Sequence, residues 1–276
     1  AILMERSDRF SWTGDAYPTQ AASLVAFANY DYIKKNLFHT SKQNNGILSY
    51  SLYWIQSLQD YFYYTGDTAT LVHFIENASQ KLDVAYAHFG TDPRLRYYGW
   101  DERLGAGFEN HSCQESQWAY RMLTIESWYD FAKMMKLIGR EDLYDKYAGY
   151  ALEKMDEVRS DPSWPGVMGV HAAADAINTG LLTEDEVQAL MKHEFSDRLQ
   201  RLSYSPFNQY YIIQAMARAG EYSKTIQTIL DQWGGQIKYG GTTFFEVFRP
   251  SWNDVLGYND PPPNNQCGYT SMAHPW

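Results

Sequence analysis

Apolar residues recur at helical spacing along nearly the whole chain, and short turns rich in Gly, Pro, Asp or Asn separate the periodic segments. The first segment is AASLVAFANYDYIKKNLF, residues 21–38, which ends before the polar turn HTSKQNNG. SLYWIQSLQDYFYYTGD follows and stops at Gly66, so the two segments predict one helical hairpin. The same spacing returns over residues 68–89, 116–139, 141–160, 171–180, 183–195, 207–220 and 223–233. Asp67 and Thr183 stand where helix caps are needed, and Glu186 completes a Ser/Thr-x-x-Glu box. The pattern predicts about nine helices with no fixed repeat. Helices joined by short loops lie antiparallel, and a long series of such hairpins closes into a bundle or a toroid. The class is therefore all-α, with the closure left open by the pattern.

Three stretches break the helical rhythm: residues 5–16, 90–112 and 239–276, each rich in aromatic and charged residues. Loops carried on a rigid scaffold are where sites are usually built. No Pro/Ser-rich or charged linker divides the 276 residues, which predicts a single domain over 1–276. A formal charge of −10 argues against a phosphate backbone as partner, so nucleic acid is not expected. No apolar run is long enough to span a bilayer, and AILMERSD lacks the basic and apolar regions of a signal peptide. Cys113 and Cys267 are too few for a disulfide framework or a zinc site and are expected to be two thiols. Asn77-Ala78-Ser79 and Asn110-His111-Ser112 fit the N-glycosylation pattern and point weakly to a secreted or periplasmic location, the cytoplasm staying open.

The chain carries 23 Tyr, 9 Trp and 13 Phe, and the irregular stretches place these rings beside carboxylates and guanidinium groups. Indole and phenol faces stack on the C–H faces of sugars, while carboxylates and Arg bond the hydroxyls, so the composition suits a carbohydrate substrate. Splitting a glycosidic bond takes one carboxylic acid to protonate the leaving oxygen and a second carboxylate to attack or to activate water. Asp8 and Glu246 are the candidates. Glu246 is the only acid in the apolar stretch TTFFEVF, where desolvation raises its pKa; its competing role is an ordinary ion pair with Arg249. Asp101, Glu102, Glu109 and Glu115 read as solvated or capping groups, with one or two of them lining the cleft. The seven histidines never fall at metal-ligand spacing, so neither a metal nor a cofactor is expected. Met134, Met135 and Met168 read as core filler.

Four blocks together carry a family resemblance. RSDRFSWTGDA resembles the Arg-x-(Glu/Asp)-Arg-x-x-Trp-x-Gly-Asp signature of the α-L-rhamnosidases of glycoside hydrolase family 78, in the fungal-type form that reads Arg-Asp-Arg. SLYWIQSLQDYFYYTGD is similar to that family's second, Trp-containing hairpin, TTFFEVF to its Thr-Thr-x-x-Glu segment, and GYTSMAHPW to its closing Thr-Ser-x-x-His-x-Trp. The resemblance implies an (α/α)6 barrel, a toroid of six hairpins, incomplete at both ends here and flanked by β-sandwich domains in a longer chain. It also implies hydrolysis of terminal α-L-rhamnose with inversion, without metal or cofactor. By position, Asp8 matches the general acid and Glu246 the base that activates water. Arg6, Trp12, Asp15 and His274 match residues that hold the terminal sugar, and Trp54 and Trp100 match its aromatic wall.

Two departures stand beside the match. Many family members carry Glu at the acid position, where this chain has the shorter Asp8. They also carry an acidic residue five or six positions earlier, where Ile2 and Leu3 stand here. The alternatives are a six-hairpin glycosidase or lyase acting on another sugar, such as a uronic acid, and a non-catalytic carbohydrate-binding or structural module.

Overall fold

The computed structural model describes residues 11–89, 113–166, 168–242, 244–245 and 247–248. Among these residues there are ten helices and no strand: α1 (Thr13–Ala26), α2 (Tyr30–Thr40), α3 (Leu48–Thr65), α4 (Thr68–Ala87), α5 (Gln114–Leu137), α6 (Glu141–Arg159), α7 (Val170–Asn178), α8 (Glu184–Glu194), α9 (Pro206–Arg218) and α10 (Tyr222–Lys238). The all-α class read from periodicity holds. The chain divides into two compact units, one of Ala1–Leu95 with Tyr120–Asp161, the other of Arg96–Ala119 with Pro162–Trp276.

In the first unit, α1 packs on α3, and α3 also packs on α2 and α4. Twelve of the 18 residues of α3 are buried, the pattern of a helix enclosed by neighbours rather than lying on a surface. The helix ends at Gly66, whose φ of 64° supplies the left-handed turn that a side chain disfavours. Asp67 then caps α4 by accepting from the Thr70 backbone N–H. On α5, Trp128 is fully buried and donates its indole N–H to the Leu82 carbonyl at 3.1 Å, so the largest ring in this part of the core leaves no polar atom unpaired.

The predicted helix over 21–38 is two helices. The chain turns at Phe27–Asn29, where Ala28 takes a φ of 48° and the Asn29 side chain accepts from the Tyr32 backbone N–H to start α2. Periodicity hid this turn because Phe27 and Ala28 are apolar although Phe27 is 78% exposed. Helix α1 also begins at Thr13, inside the stretch read as loop, and runs through Pro18.

In the second unit, α7 packs on α9 and α8, and α9 on α10. All nine residues of α7 are buried. Helix α8 opens with the expected box, Thr183 and Glu186 capping each other's backbone. Helix α10 was expected to end at Trp233, before Gly234-Gly235, but continues to Lys238. Two glycines cost a helix roughly 1 kcal/mol each. Buried Gln232 and Gln236 anchor the extension: the first donates to the Ser203 carbonyl at 2.9 Å, the second accepts from Phe245 N–H at 2.7 Å.

Among the described residues, no helix is long and apolar enough to cross a membrane. The sequon asparagine Asn77 lies within α4, where it donates to the Ser41 carbonyl and accepts from Lys81 Nζ at 2.7 Å. A glycan on that nitrogen would crowd the contact with Ser41. Asn110 and Cys267 lie outside the described residues, and Cys113 is half-buried.

Candidate functional site

The first irregular stretch, residues 5–16, reaches α1 at Thr13. Trp12 is the N-cap but offers no side-chain acceptor to the helix, so the orphan N–H groups need partners from elsewhere. Asn45, in the turn between α2 and α3, meets that need. Its Oδ1 accepts from Thr13 N–H at 3.0 Å and lies 3.1 Å from Thr13 Oγ1, while its Nδ2 donates to the Ser11 carbonyl at 3.0 Å. Ser11 Oγ lies 3.0 Å from His39 Nε2. The turn HTSKQNNG thus clamps the entry to α1.

Asp15 sits in the first turn of α1, where the helix dipole favours a negative charge. It is 5% exposed and accepts from the Tyr50 hydroxyl at 2.8 Å. Trp12 is half-buried, and its ring meets Tyr50 edge to face, centroids 6.2 Å apart at 86°. Behind Tyr50 the aromatic contact continues through Tyr53, 6.4 Å away, to Tyr17, which stacks on Tyr53 at 6.2 Å. Two of the residues matched to sugar binding, Trp12 and Asp15, are therefore brought together by a tyrosine that the sequence reading did not single out. The available signal was its place in the first turn of α3, at the head of the aromatic run YSLYW.

Trp54, matched to the aromatic wall, is 1% exposed. Its indole N–H donates to Thr40 Oγ1 at 3.2 Å, Phe74 meets it edge to face at 5.2 Å, and the Lys81 ammonium lies 4.9 Å from its ring centroid. Packing occupies this ring, so in this structure it belongs to the core and offers no face to a sugar. The expected general acid Asp8 and base Glu246, with Arg6, Arg9, Trp100 and His274, lie outside the described residues.

The second unit contains a Ser–His–Glu alignment. Glu115 Oε1 lies 2.7 Å from His171 Nδ1, and Ser203 Oγ lies 3.0 Å from His171 Nε2. A serine nucleophile must reach a substrate carbonyl, but Ser203 is fully buried and its Oγ also accepts from Ser205 N–H at 3.1 Å. The alignment is structural. Glu115 Oε1 accepts from His171 backbone N–H at 2.9 Å as well, capping α7 from a distance as Asn45 caps α1. The capping role expected for one of the loop acids falls to Glu115. Among the described residues no three His, Cys, Asp or Glu side chains gather as metal ligands.

No protein-family model matches the chain, and no curated protein matches it in sequence. Solved structures do match in fold. A rhamnosidase from Klebsiella oxytoca with rhamnose bound superimposes with a TM-score of 0.75 at 17% identity, over 98% of this chain and 56% of that one. A GH78 family rhamnosidase of Bacillus sp. GL1 superimposes with a TM-score of 0.69 at 15% identity, over 90% of this chain and 31% of that one. The chain thus spans about half of the first relative's length and about a third of the second's. The fold is that of the family 78 rhamnosidases, all-helical and consistent with an (α/α)6 barrel.

Proposed function

We propose that residues 1–276 form one catalytic domain of an inverting glycoside hydrolase that removes terminal α-L-rhamnose from glycosides or polysaccharides. The observation that carries the reading is the pairing of Trp12 and Asp15 at the first turn of α1, in a chain with a rhamnosidase fold. An indole beside a nearly buried carboxylate supplies the stacking surface and the hydroxyl acceptor that a terminal sugar requires. Arg6 and His274 add donors to the same sugar, and Trp100 adds a second ring.

In this reading Asp8, four residues before Trp12, protonates the departing glycosidic oxygen. Glu246 takes a proton from a water molecule, which attacks the anomeric carbon from the opposite face as the bond to the leaving group breaks. The product sugar emerges with inverted configuration. Room for that water requires the two carboxyl groups to stand about 6.5–9.5 Å apart. The chemistry is acid–base throughout and calls for no metal or cofactor. The Arg-Asp-Arg form of the motif supports the fungal-type branch, flanking β-sandwich domains complete the longer chain, and a secreted or periplasmic location fits the carbohydrate substrate, the cytoplasm staying open.

The test is hydrolysis of p-nitrophenyl α-L-rhamnoside by the full-length protein, compared with Asp8→Asn and Glu246→Gln. Each variant is expected to lose at least about a hundredfold in kcat, the lower range of an acid–base contribution. Proton NMR of the first-formed anomer is expected to show inversion; retention would remove Glu246 as a water-activating base.

A further inference from the structure

Tyr50 touches each of the four residues from Trp12 to Asp15. Its hydroxyl donates to Asp15 Oδ2 at 2.8 Å, and its backbone carbonyl lies 3.0 Å from Thr13 Oγ1. Its ring meets Trp12 edge to face and lies close to Gly14, where a Cβ would come within 2.3 Å of the ring carbons. Only a residue without a side chain fits between this ring and the helix, so Gly14 is required by contact rather than by backbone conformation. Tyr50 itself is 5% exposed and is backed by Tyr53, hence it has little freedom to turn away.

We infer that Tyr50 is the positioning residue of the sugar site: its hydroxyl fixes the rotamer of the Asp15 carboxylate and its ring fixes the plane of Trp12. This rests on the rhamnosidase reading of Trp12 and Asp15. Tyr50 acts through these two side chains without touching the substrate. Its effect is therefore on how well the sugar is held and oriented, not on the proton transfers assigned to Asp8 and Glu246. A buried donor aimed at a carboxylate orients it without consuming the aromatic surface beside it, because the hydroxyl and the ring edge act in different directions. One side chain can in this way align both halves of a stacking-plus-hydroxyl site, and loss of that alignment weakens the hold on the sugar.

The experiment is a double-mutant cycle with Tyr50→Phe and Asp15→Asn in the full-length protein, reading KM and kcat on p-nitrophenyl α-L-rhamnoside and the Kd of free rhamnose by calorimetry. Tyr50→Phe keeps the ring against Gly14 and Trp12 and removes only the donor. It is expected to raise KM and the rhamnose Kd about tenfold with kcat changed less than about threefold. The double variant is expected to bind no worse than Asp15→Asn alone, since residues acting through one another are non-additive. Additive effects, or a Tyr50→Phe variant with wild-type KM and Kd, would overturn the inference while leaving the rhamnosidase reading in place. A wild-type protein that neither hydrolyses the rhamnoside nor binds rhamnose would overturn both. Should Tyr50→Phe fail to fold, Gly14→Ala carries the test: it retains the hydroxyl but presses its methyl on a ring that Tyr53 backs, so the displacement passes to Trp12 and Asp15, and it is expected to raise KM similarly, an unchanged KM again overturning the inference.

Discussion

Glu115 places a single carboxylate oxygen 2.7 Å from the ring Nδ1 of His171 and 2.9 Å from the backbone N–H of the same residue. One acid at the start of α5 thereby holds both the side chain and the main chain of the first turn of α7. Replacing it with alanine leaves buried donors on His171 facing a void, a loss of about 1–3 kcal/mol for each group left without its partner. Glu115→Ala is expected to lower the urea midpoint accordingly with an unchanged m-value, and Glu115→Gln, which keeps one acceptor oxygen, to lower it less.

Gly169 precedes that turn with a φ of 87°, and a Cβ there would fall 2.1 Å from the Glu115 carboxyl carbon. Gly169→Ala meets backbone strain and a collision with the cap at once. Its cost is expected to be about 2 kcal/mol or more, measured by chemical denaturation. Loss of the Glu115 side chain in the same molecule should relieve the steric part, so the double variant is expected to be less destabilised than the sum of the singles.

Asn45 serves three backbone or hydroxyl partners on Ser11 and Thr13. Asn45→Ala removes a cap and leaves a helix N–H orphaned, which costs about 1–2 kcal/mol. Since the same contacts hold the entry to Trp12 and Asp15, thermal unfolding and rhamnose binding are expected to weaken together, the first by differential scanning calorimetry and the second by isothermal titration.

Asp67 joins α3, α2 and α4. It is bonded by Lys34 Nζ at 2.9 Å, by Thr70 through backbone and hydroxyl, and by the Tyr61 hydroxyl at 3.0 Å. The Lys34 contact first, then those of Thr70, hold its carboxyl well below the ordinary 3.8, while burial and the Asp67 charge push Tyr61 up to about 12. A depressed carboxyl stabilises the fold above its unfolded pKa, and the contribution fades as pH falls through the lower folded value. Asp67→Asn is expected to cost about 1–2 kcal/mol at pH 7. The gap to wild type should narrow on titrating below pH 3.8, as followed by urea unfolding.

Lys81 lines a cavity of about 210 Å³ with Leu48, Ser51, Leu52, Gln80 and Tyr120. Its ammonium donates to the Ser41 carbonyl at 3.0 Å and to Asn77 Oδ1, both neutral, and burial pushes it down from 10.5 to about 8. Between pH 8 and 10.5 the unfolded chain therefore holds a proton that the folded one has released, so stability rises with pH in that window. Lys81→Met is expected to flatten the rise, and denaturant midpoints at pH 7, 8, 9 and 10 would reveal it. A slope unchanged by the substitution would mean that Lys81 keeps its ordinary pKa.

Much of this architecture was legible along the chain. Gly66, Asp67, Thr183 and Glu186 mark helix ends by local chemistry alone, and each acts as read because a cap depends on its own neighbours. The split at Ala28 and the extension of α10 through Gly234 and Gly235 were not legible. In the first an exposed apolar turn imitates helical periodicity, and in the second Gln232 and Gln236 bond partners distant in sequence.

The candidate site divides the same way. The sequence by itself determined the helical class, the caps and the motif that brings Trp12 and Asp15 within three residues of each other, because these depend on spacing and local bonding. Only the tertiary structure decided that Tyr50, not Trp54, is the α3 aromatic that reaches them, and that Asn45 and Glu115 cap helices remote from themselves. Which face of a buried helix meets which neighbour is set by packing among elements far apart in the chain, and in a helix buried at twelve of 18 positions the spacing alone does not assign each ring its partner.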